Sequence, residues 1–200
     1  MKSIINNNKK EYIINKSRFI CNMIYVNDIE DVNKYLLEIK NKYKDATHNC
    51  YAYIVDGFEK CSDDGEPAGT AGIPILNVLK NNELNHILCI VTRYFGGIKL
   101  GTGGLVRAYT KSVTNCIDEN NICNLIPGIE LKITFSYDNI KQIDNYLKDI
   151  KIISKEFNND ITYVIDIDKN NKQLINSLNK ISQLKILKEI LIKKEKNSFL

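Results

Sequence analysis

Hydrophobic and polar residues alternate along the N-terminal part of the chain in two distinct patterns. Four segments rich in β-branched and aromatic residues predict strands: EYIIN, RFICNMIYV, NCYAYIV and NHILCIVTRY. Apolar residues at helical spacing predict helices over residues 28–43, with Asp28 as N-cap, around 73–80, and over 103–120. This order predicts an α+β domain in which helices pack on a mixed sheet.

The C-terminal part repeats the two patterns in another order. Strands are predicted at IELKITF, KIISKEF, DITYVIDI and LKILKEILI, with a hairpin turn at Asn158-Asn159. Helices are predicted over residues 139–150 and 169–181. The last strand segment has a spacing that also fits a helix. The resulting order, βαββαβ, is that of a ferredoxin-like domain.

The distribution of glycine predicts where one domain ends. The sequence has ten glycines, and all but Gly128 fall between Gly57 and Gly104. The segment NLIPGIEL, residues 124–131, combines this change of composition with a turn signal at Pro127-Gly128. We therefore predict two domains, residues 1–127 and residues 128–200.

Composition indicates an ordinary soluble protein of 200 residues, with 44% hydrophobic and 26% charged residues. The net charge of +4 permits contact with nucleic acid or a phosphorylated ligand without requiring it. No apolar run approaches the roughly 20 residues of a membrane helix, and MKSIINNNKKEY lacks the apolar core of a signal peptide. We expect a cytoplasmic protein with no membrane partner.

Cysteine and histidine argue against a metal site. The six cysteines include no C-x-x-C pair, and most lie in apolar runs, so we expect buried free thiols rather than zinc ligands or disulfides. The two histidines, His48 and His86, are far apart in sequence. We expect no metal and no cofactor.

The segment RYFGGIKLGTGGLVRAY, residues 93–109, is the strongest candidate binding site. It joins a predicted strand to a predicted helix, where backbone N–H groups and the helix dipole favour an anion. Of 28 basic residues only three are Arg, and two of these flank the glycines, which favours bidentate recognition. Walker A and G-x-G-x-x-G fingerprints are both absent, so a tight turn with purely structural glycines remains the alternative. The candidate anion- or RNA-binding residues are Arg93, Gly96, Gly97, Lys99, Gly101, Gly103, Gly104 and Arg107.

A second loop, SDDGEPAGTAGIP, carries the carboxylates of Asp63, Asp64 and Glu66. They could pair with the arginines of the glycine loop, hold a divalent cation, or act as acid and base; we rank ion pairing first. We therefore expect the two loops to meet. His48 is a possible neighbour of this site, because His48 and Cys50 share one face of a strand and could form a nucleophilic pair.

Four segments together resemble the signatures of the YigZ/IMPACT family: KSRFI, ATHNCYAY, SDDGEPAGTAGIPIL and VTRYFGGIKLGTGGLVRAY. The resemblance implies an N-terminal domain with the fold of the fourth domain of elongation factor G, and a C-terminal domain similar to the ferredoxin-like last domain of that factor. Eukaryotic relatives regulate translation by competing for an activator of an initiation-factor kinase, a pathway that bacteria lack. Ala68 stands where the family often has Ser.

These observations predict a binding protein that acts on RNA or the ribosome, or on a protein partner in translation control. The alternative is an enzyme that acts on a phosphorylated small molecule in the cleft between SDDGEP and GGIKLGTGG. A protein–protein adaptor with purely structural loops is the third hypothesis.

Overall fold

The strands of the N-terminal part form one five-stranded sheet in the computed structural model, which describes residues 1–195. A short first strand, β1 (Lys2–Ile4), precedes this sheet. Neighbouring strands of the sheet are antiparallel and lie in the order β2-β3-β6-β4-β5. Their bounds are β2 (Asn8–Ile14), β3 (Ser17–Tyr25), β4 (His48–Val55), β5 (Phe58–Ser62) and β6 (Ile87–Tyr94).

Helices cover both faces of this sheet. They are α1 (Ile29–Lys42), α2 (Gly72–Asn81) and α3 (Gly101–Cys116). Buried residues of α2 and α3 pack with Phe19, Cys50 and Val91 on one face, whereas α1 packs with Ile24 and Leu88 on the other. Strand β6 is buried along almost its whole length because it lies at the centre of the sheet with both faces covered.

The C-terminal part has the predicted βαββαβ order. Its elements are β7 (Ile122–Phe135), α4 (Ile140–Tyr146), β8 (Lys151–Phe157), β9 (Ile161–Asp168), α5 (Lys172–Asn179) and β10 (Gln183–Glu195). Strand β7 lies between β9 and β10, and β8 pairs with the far side of β9, which is the ferredoxin-like arrangement. The predicted α+β class is confirmed, and the helical alternative for LKILKEILI is wrong.

The turn predicted at Pro127-Gly128 is wrong, because both residues lie inside the continuous strand β7. Proline is tolerated there since its carbonyl still accepts a hydrogen bond from the Lys169 N–H, and Gly128 pairs in register with Asp168. The structure divides into two compact units, Met1–Asn124 and Leu125–Lys194. The domain limits 1–127 and 128–200 stay a prediction, and residues 196–200 of the second domain lie outside the described residues.

Candidate functional site

Asp63 organises the acidic loop around the start of α2. One carboxylate oxygen accepts hydrogen bonds from the N–H groups of Ala71 and Gly72 at 2.9 and 2.8 Å, and the other accepts from Gly69 at 2.8 Å. Burial raises the pKa of Asp63, but the three N–H donors outweigh burial, so the net pKa lies below the ordinary carboxyl value. The carboxylate therefore satisfies backbone groups that α2 leaves unpaired.

Asp64 fastens the acidic loop to the sheet and to α1. Its Oδ2 accepts a hydrogen bond from the backbone N–H of Asn49 at 2.7 Å, and its Oδ1 lies 3.0 Å from the Lys40 ammonium. The Asp64 carbonyl accepts a hydrogen bond from Nδ1 of His48 at 2.9 Å. Asp64 itself has a φ of 44°, and the following Gly65 a φ of 88°, so the loop turns sharply here.

Glu66 joins the acidic loop to the end of β6 and to α3. Its Oε1 lies 2.6 Å from Nη1 of Arg93 and accepts a hydrogen bond from the Tyr109 hydroxyl at 2.8 Å. The Glu66 and Arg93 side chains are only 3% and 6% exposed. The guanidinium also lies 5.4 Å from the centre of the Phe19 ring and 5.5 Å from that of Phe95. The expected meeting of the two loops is confirmed by this buried ion pair.

The assignment of Arg93 to an RNA phosphate is wrong. Burial hides its guanidinium from solvent, and the carboxylate of Glu66 already supplies the anion that its charge requires. Among residues 1–195, neither Lys99 nor Arg107 forms an ion pair with the acidic loop. Ion pairing thus accounts for one of the three predicted cations and leaves the other two at the surface.

His48 and Cys50 do not form the hypothetical nucleophilic pair. The Cys50 sulfur lies 2.9 Å from the Asp63 carbonyl and 3.2 Å from the Tyr109 hydroxyl. Burial raises the pKa of the Cys50 thiol to about 12, and the nearby Glu66 carboxylate adds to this rise. The thiol is therefore protonated at neutral pH. His48 Nε2 lies 3.8 Å from Glu66 Oε2, so the imidazole on β4 contacts the acidic loop rather than Cys50.

The glycine loop turns from β6 into α3. Gly97 and Gly101 have φ values of 84° and 70°, which confirms the predicted positive φ. Gly96 approaches the turn between β2 and β3 so closely that a Cβ would overlap the backbone of Lys16 and Ser17. Its N–H donates to the Ser17 hydroxyl at 3.1 Å. Gly96 therefore has a structural role.

Helix α3 starts at Gly101, two residues before the predicted start, and no side chain caps its N-terminus. Gly101 and Gly103 are exposed and Gly104 is partly exposed, so the first turn of α3 presents backbone rather than side chains. Lys99 and Arg107 flank this turn and are both exposed. The anion- or RNA-binding role of this turn stays a prediction; an open helix start between two cations is the geometry that such a site requires.

A groove between β2 and α3 adjoins this turn, and the sequence did not point to it. It has a volume of about 570 Å³, with Tyr12 and Ile14 on the β2 side and Leu100, Arg107 and Lys111 on the α3 side. Lys111 could have been found from the sequence, because it follows Arg107 by four residues and so shares its helix face. Tyr12 carried no such signal, since only the tertiary fold brings β2 beside α3.

Two further expectations concern metals and membranes. No group of histidine, cysteine or acidic side chains within residues 1–195 is arranged to hold a metal ion. None of the helices in the described part of the chain has the length and apolar content that a bilayer crossing needs.

Comparison with known proteins places this geometry in a family. The family described as "Impact N-terminal domain" matches residues 15–117. The Bacillus subtilis (strain 168) IMPACT family member YvyE is 41% identical over 149 residues, which are 73% of this chain and 69% of that protein. The Escherichia coli (strain K12) IMPACT family member YigZ is 34% identical over 151 residues, which are 72% of this chain and 74% of that protein.

A solved structure extends the similarity over both units. A chain titled "Crystal structure of an hypothetical protein" is 27% identical, with a TM-score of 0.63, over 94% of this chain and 97% of its own length. The region that matches the Impact N-terminal domain, residues 15–117, includes the acidic loop, the glycine loop and α3. The chain therefore belongs to the YigZ/IMPACT family.

Proposed function

We propose that this protein is a cytoplasmic RNA- or ribosome-associated binding protein with a role in translation regulation. The observation that carries the proposal is the open first turn of α3 between two exposed cations, Lys99 and Arg107, which have no ion-pair partner among residues 1–195. Membership of the YigZ/IMPACT family supports the role in translation, because the resemblance implies that role for the family's eukaryotic members.

Phosphate is the anion that fits this turn best. Uncapped N–H groups at the start of α3 offer hydrogen-bond donors, and the helix dipole favours a negative charge there. Gly103 and Gly104 have no side chains to hold the backbone of a ligand away. Arg107 adds a planar guanidinium that binds phosphate in two-point contacts, which a lysine cannot reproduce. Such contacts fix a nucleic-acid backbone without reading its sequence.

The acidic loop does not supply a free acid or base to an enzyme. The Asp63 carboxylate accepts hydrogen bonds from three backbone N–H groups. The Asp64 carboxylate accepts one from the Asn49 N–H and pairs with Lys40, and the Glu66 carboxylate pairs with Arg93. The geometry thus favours binding over the alternative of catalysis on a phosphorylated small molecule.

The test is binding of a fluorescent single-stranded oligoribonucleotide, followed by anisotropy over a salt series. In the parent protein the logarithm of the association constant should fall linearly with the logarithm of salt concentration. Arg107→Ala should weaken binding about equally for all sequences and make the slope shallower by roughly 0.7, the value for one phosphate on a single strand. Arg107→Lys should give an intermediate loss, because it keeps the charge but not the two-point geometry.

The control is Lys34→Ala, which removes one exposed positive charge on α1, the helix on the opposite face of the sheet from α3. It should bind RNA as the parent does. If the folded parent shows no salt-sensitive binding to RNA or to ribosomes, the proposed function is wrong. Binding to ribosomes without binding to the oligonucleotide would point to folded ribosomal RNA or a ribosomal protein as the partner.

A further inference from the structure

The groove between β2 and α3 combines apolar walls with unpaired positive charge. Tyr12, Ile14 and Leu100 contribute apolar surface, and each of them is partly exposed. Arg107 and Lys111 are the charged residues among those that line it, and none of the lining residues is acidic. Neither cation forms an ion pair within residues 1–195. The groove is therefore complementary to a ligand that is anionic at one end and apolar and flat at the other.

The two cations can act on one phosphate. They are four residues apart on α3, so they lie side by side on the same face, with roughly 5–6 Å between their Cβ atoms. Lysine contributes a point charge and arginine a planar fork, and together they supply charge-assisted donors to one phosphate.

The apolar part of the groove suits a nucleobase. Tyr12 lines the groove and packs against Phe19, with the two ring centres 6.3 Å apart and the ring planes tilted by 39°. Bases stack on such rings whatever their sequence. The side chains of Asn15 and Thr110, which also line the groove, offer polar groups to the edge of a base. The volume of about 570 Å³ is that of a small-ligand site, large enough for one nucleotide.

We infer that this groove is a subsite for one nucleotide of single-stranded RNA, with the base against Tyr12 and the phosphate on Arg107 and Lys111. The inference rests on the proposed function, since RNA supplies the nucleotide. It goes beyond that function because it assigns a stacking contact and a second phosphate ligand, Lys111, and predicts that single strands bind better than duplexes, whose bases are not free to enter a groove.

Four variants of the full chain test the subsite by oligouridylate binding in the same salt series. Tyr12→Leu should weaken binding roughly tenfold and leave the salt slope unchanged, because it removes stacking but no charge. Tyr12→Phe should bind as the parent does. Lys111→Gln should weaken binding and lower the slope by less than the roughly 0.7 of a whole phosphate contact, because Arg107 still contacts the same phosphate. Thr114→Glu, an exposed change that places an anion in the groove, should also weaken binding.

Lys34→Gln is the matched control for the last two variants, since it makes the same change in net charge on α1, which lies on the other face of the sheet. Thermal melting identifies any loss of fold in Tyr12→Leu. If Tyr12→Leu does not fold, Lys111→Gln and Thr114→Glu still test the subsite, because both alter exposed side chains. Uridine monophosphate is the second probe and should compete with the oligonucleotide in the parent.

The results separate this inference from the proposed function. If the parent binds RNA with a salt slope but Lys111→Gln and Thr114→Glu bind as well as Lys34→Gln, RNA lies elsewhere. The subsite is then wrong while the function stands. If the parent binds ribosomes but no oligonucleotide, the subsite is wrong and the proposed function stands. If the parent binds neither RNA nor ribosomes, both are wrong. If uridine monophosphate binds and the oligonucleotide does not, the groove serves a small phosphorylated ligand, and the RNA assignment is overturned.

Discussion

Removal of the Glu66 charge should strongly destabilise the N-terminal unit. Glu66→Gln keeps the shape of the side chain and an acceptor for the Tyr109 hydroxyl, but leaves the guanidinium of Arg93 without its counter-charge. Because the two side chains are only 3% and 6% exposed, water cannot replace the lost carboxylate. Loss of one partner from such a buried pair costs about 3–5 kcal/mol, a large part of the 5–15 kcal/mol that holds a typical domain folded.

The two compact units need separate readouts, because their unfolding transitions need not coincide. Amide hydrogen exchange over a urea series reports the free energy of opening strand by strand, and the amides of β6 report the unit that contains Glu66. We expect this free energy to fall by about 3–5 kcal/mol in Glu66→Gln, with no change at the amides of β9 in the other unit.

Two further variants make the reasoning refutable. Glu59→Gln breaks an exposed pair with Lys80 of similar length, 3.0 Å, and should cost less than about 1 kcal/mol. Adding Arg93→Met to Glu66→Gln removes the uncompensated charge and should restore part of the lost stability. A cost for Glu66→Gln no larger than that for Glu59→Gln, or a double variant less stable than Glu66→Gln alone, would contradict a buried ion pair that matters through its charge.

Three other predictions concern the same unit. Gly96→Ala should destabilise the N-terminal unit by about 3 kcal/mol or more, because the added Cβ would overlap the turn between β2 and β3. In Gly97→Ala the added Cβ meets open space, so this variant should cost only the roughly 1–2 kcal/mol of its positive φ. Thermal melting curves of the two variants test the difference. Burial raises the pKa of Asp63, but backbone N–H groups lower it by more, so the folded pKa lies below the unfolded pKa, near 3.8. The contribution of Asp63 to stability is therefore complete above the unfolded pKa and is lost as the pH falls through the folded pKa. Asp63→Asn should flatten this acid limb of the curve of stability against pH. Iodoacetamide at pH 8 should modify the partly exposed Cys61 before the other cysteines, all of which are buried, and peptide mass spectrometry would detect early labelling of Cys50 if its thiol were reactive.

Periodicity alone predicted most of the fold, and its failures have local causes. Two strands of the N-terminal part, β1 and β5, were not predicted. β1 is only three residues long and β5 is a short, largely exposed edge strand, so neither has the apolar alternation that marks a half-buried strand. The turn signal at Pro127-Gly128 failed because a strand can include proline where its missing N–H is not needed, and the sequence does not show which N–H groups pair.

The candidate site was predicted as a set of residue types, and its roles depended on tertiary geometry. Scarcity of arginine marked Arg93 as special and left two partners open, a carboxylate of the acidic loop and a phosphate. The structure gives Arg93 the first of these, Glu66, 27 positions away in the chain. Nothing in the spacing of SDDGEP shows that Asp63 turns toward the start of α2 while Glu66 turns toward β6. The groove escaped prediction because β2 and α3 lie some ninety positions apart in the chain and meet only when the sheet has formed.

Co-sedimentation with purified ribosomes across a salt series tests the central claim most directly. The parent protein should pellet with ribosomes at low salt and leave them progressively as salt rises. Arg107→Ala should pellet less than the parent at each salt concentration, and Arg107→Lys should lie between the two. Lys34→Ala, the control on α1, should match the parent. Two results would contradict the claim that the protein associates with ribosomes through the phosphate site at Arg107. The folded parent would stay in the supernatant at the lowest salt, or the parent and all variants would pellet equally at every salt concentration.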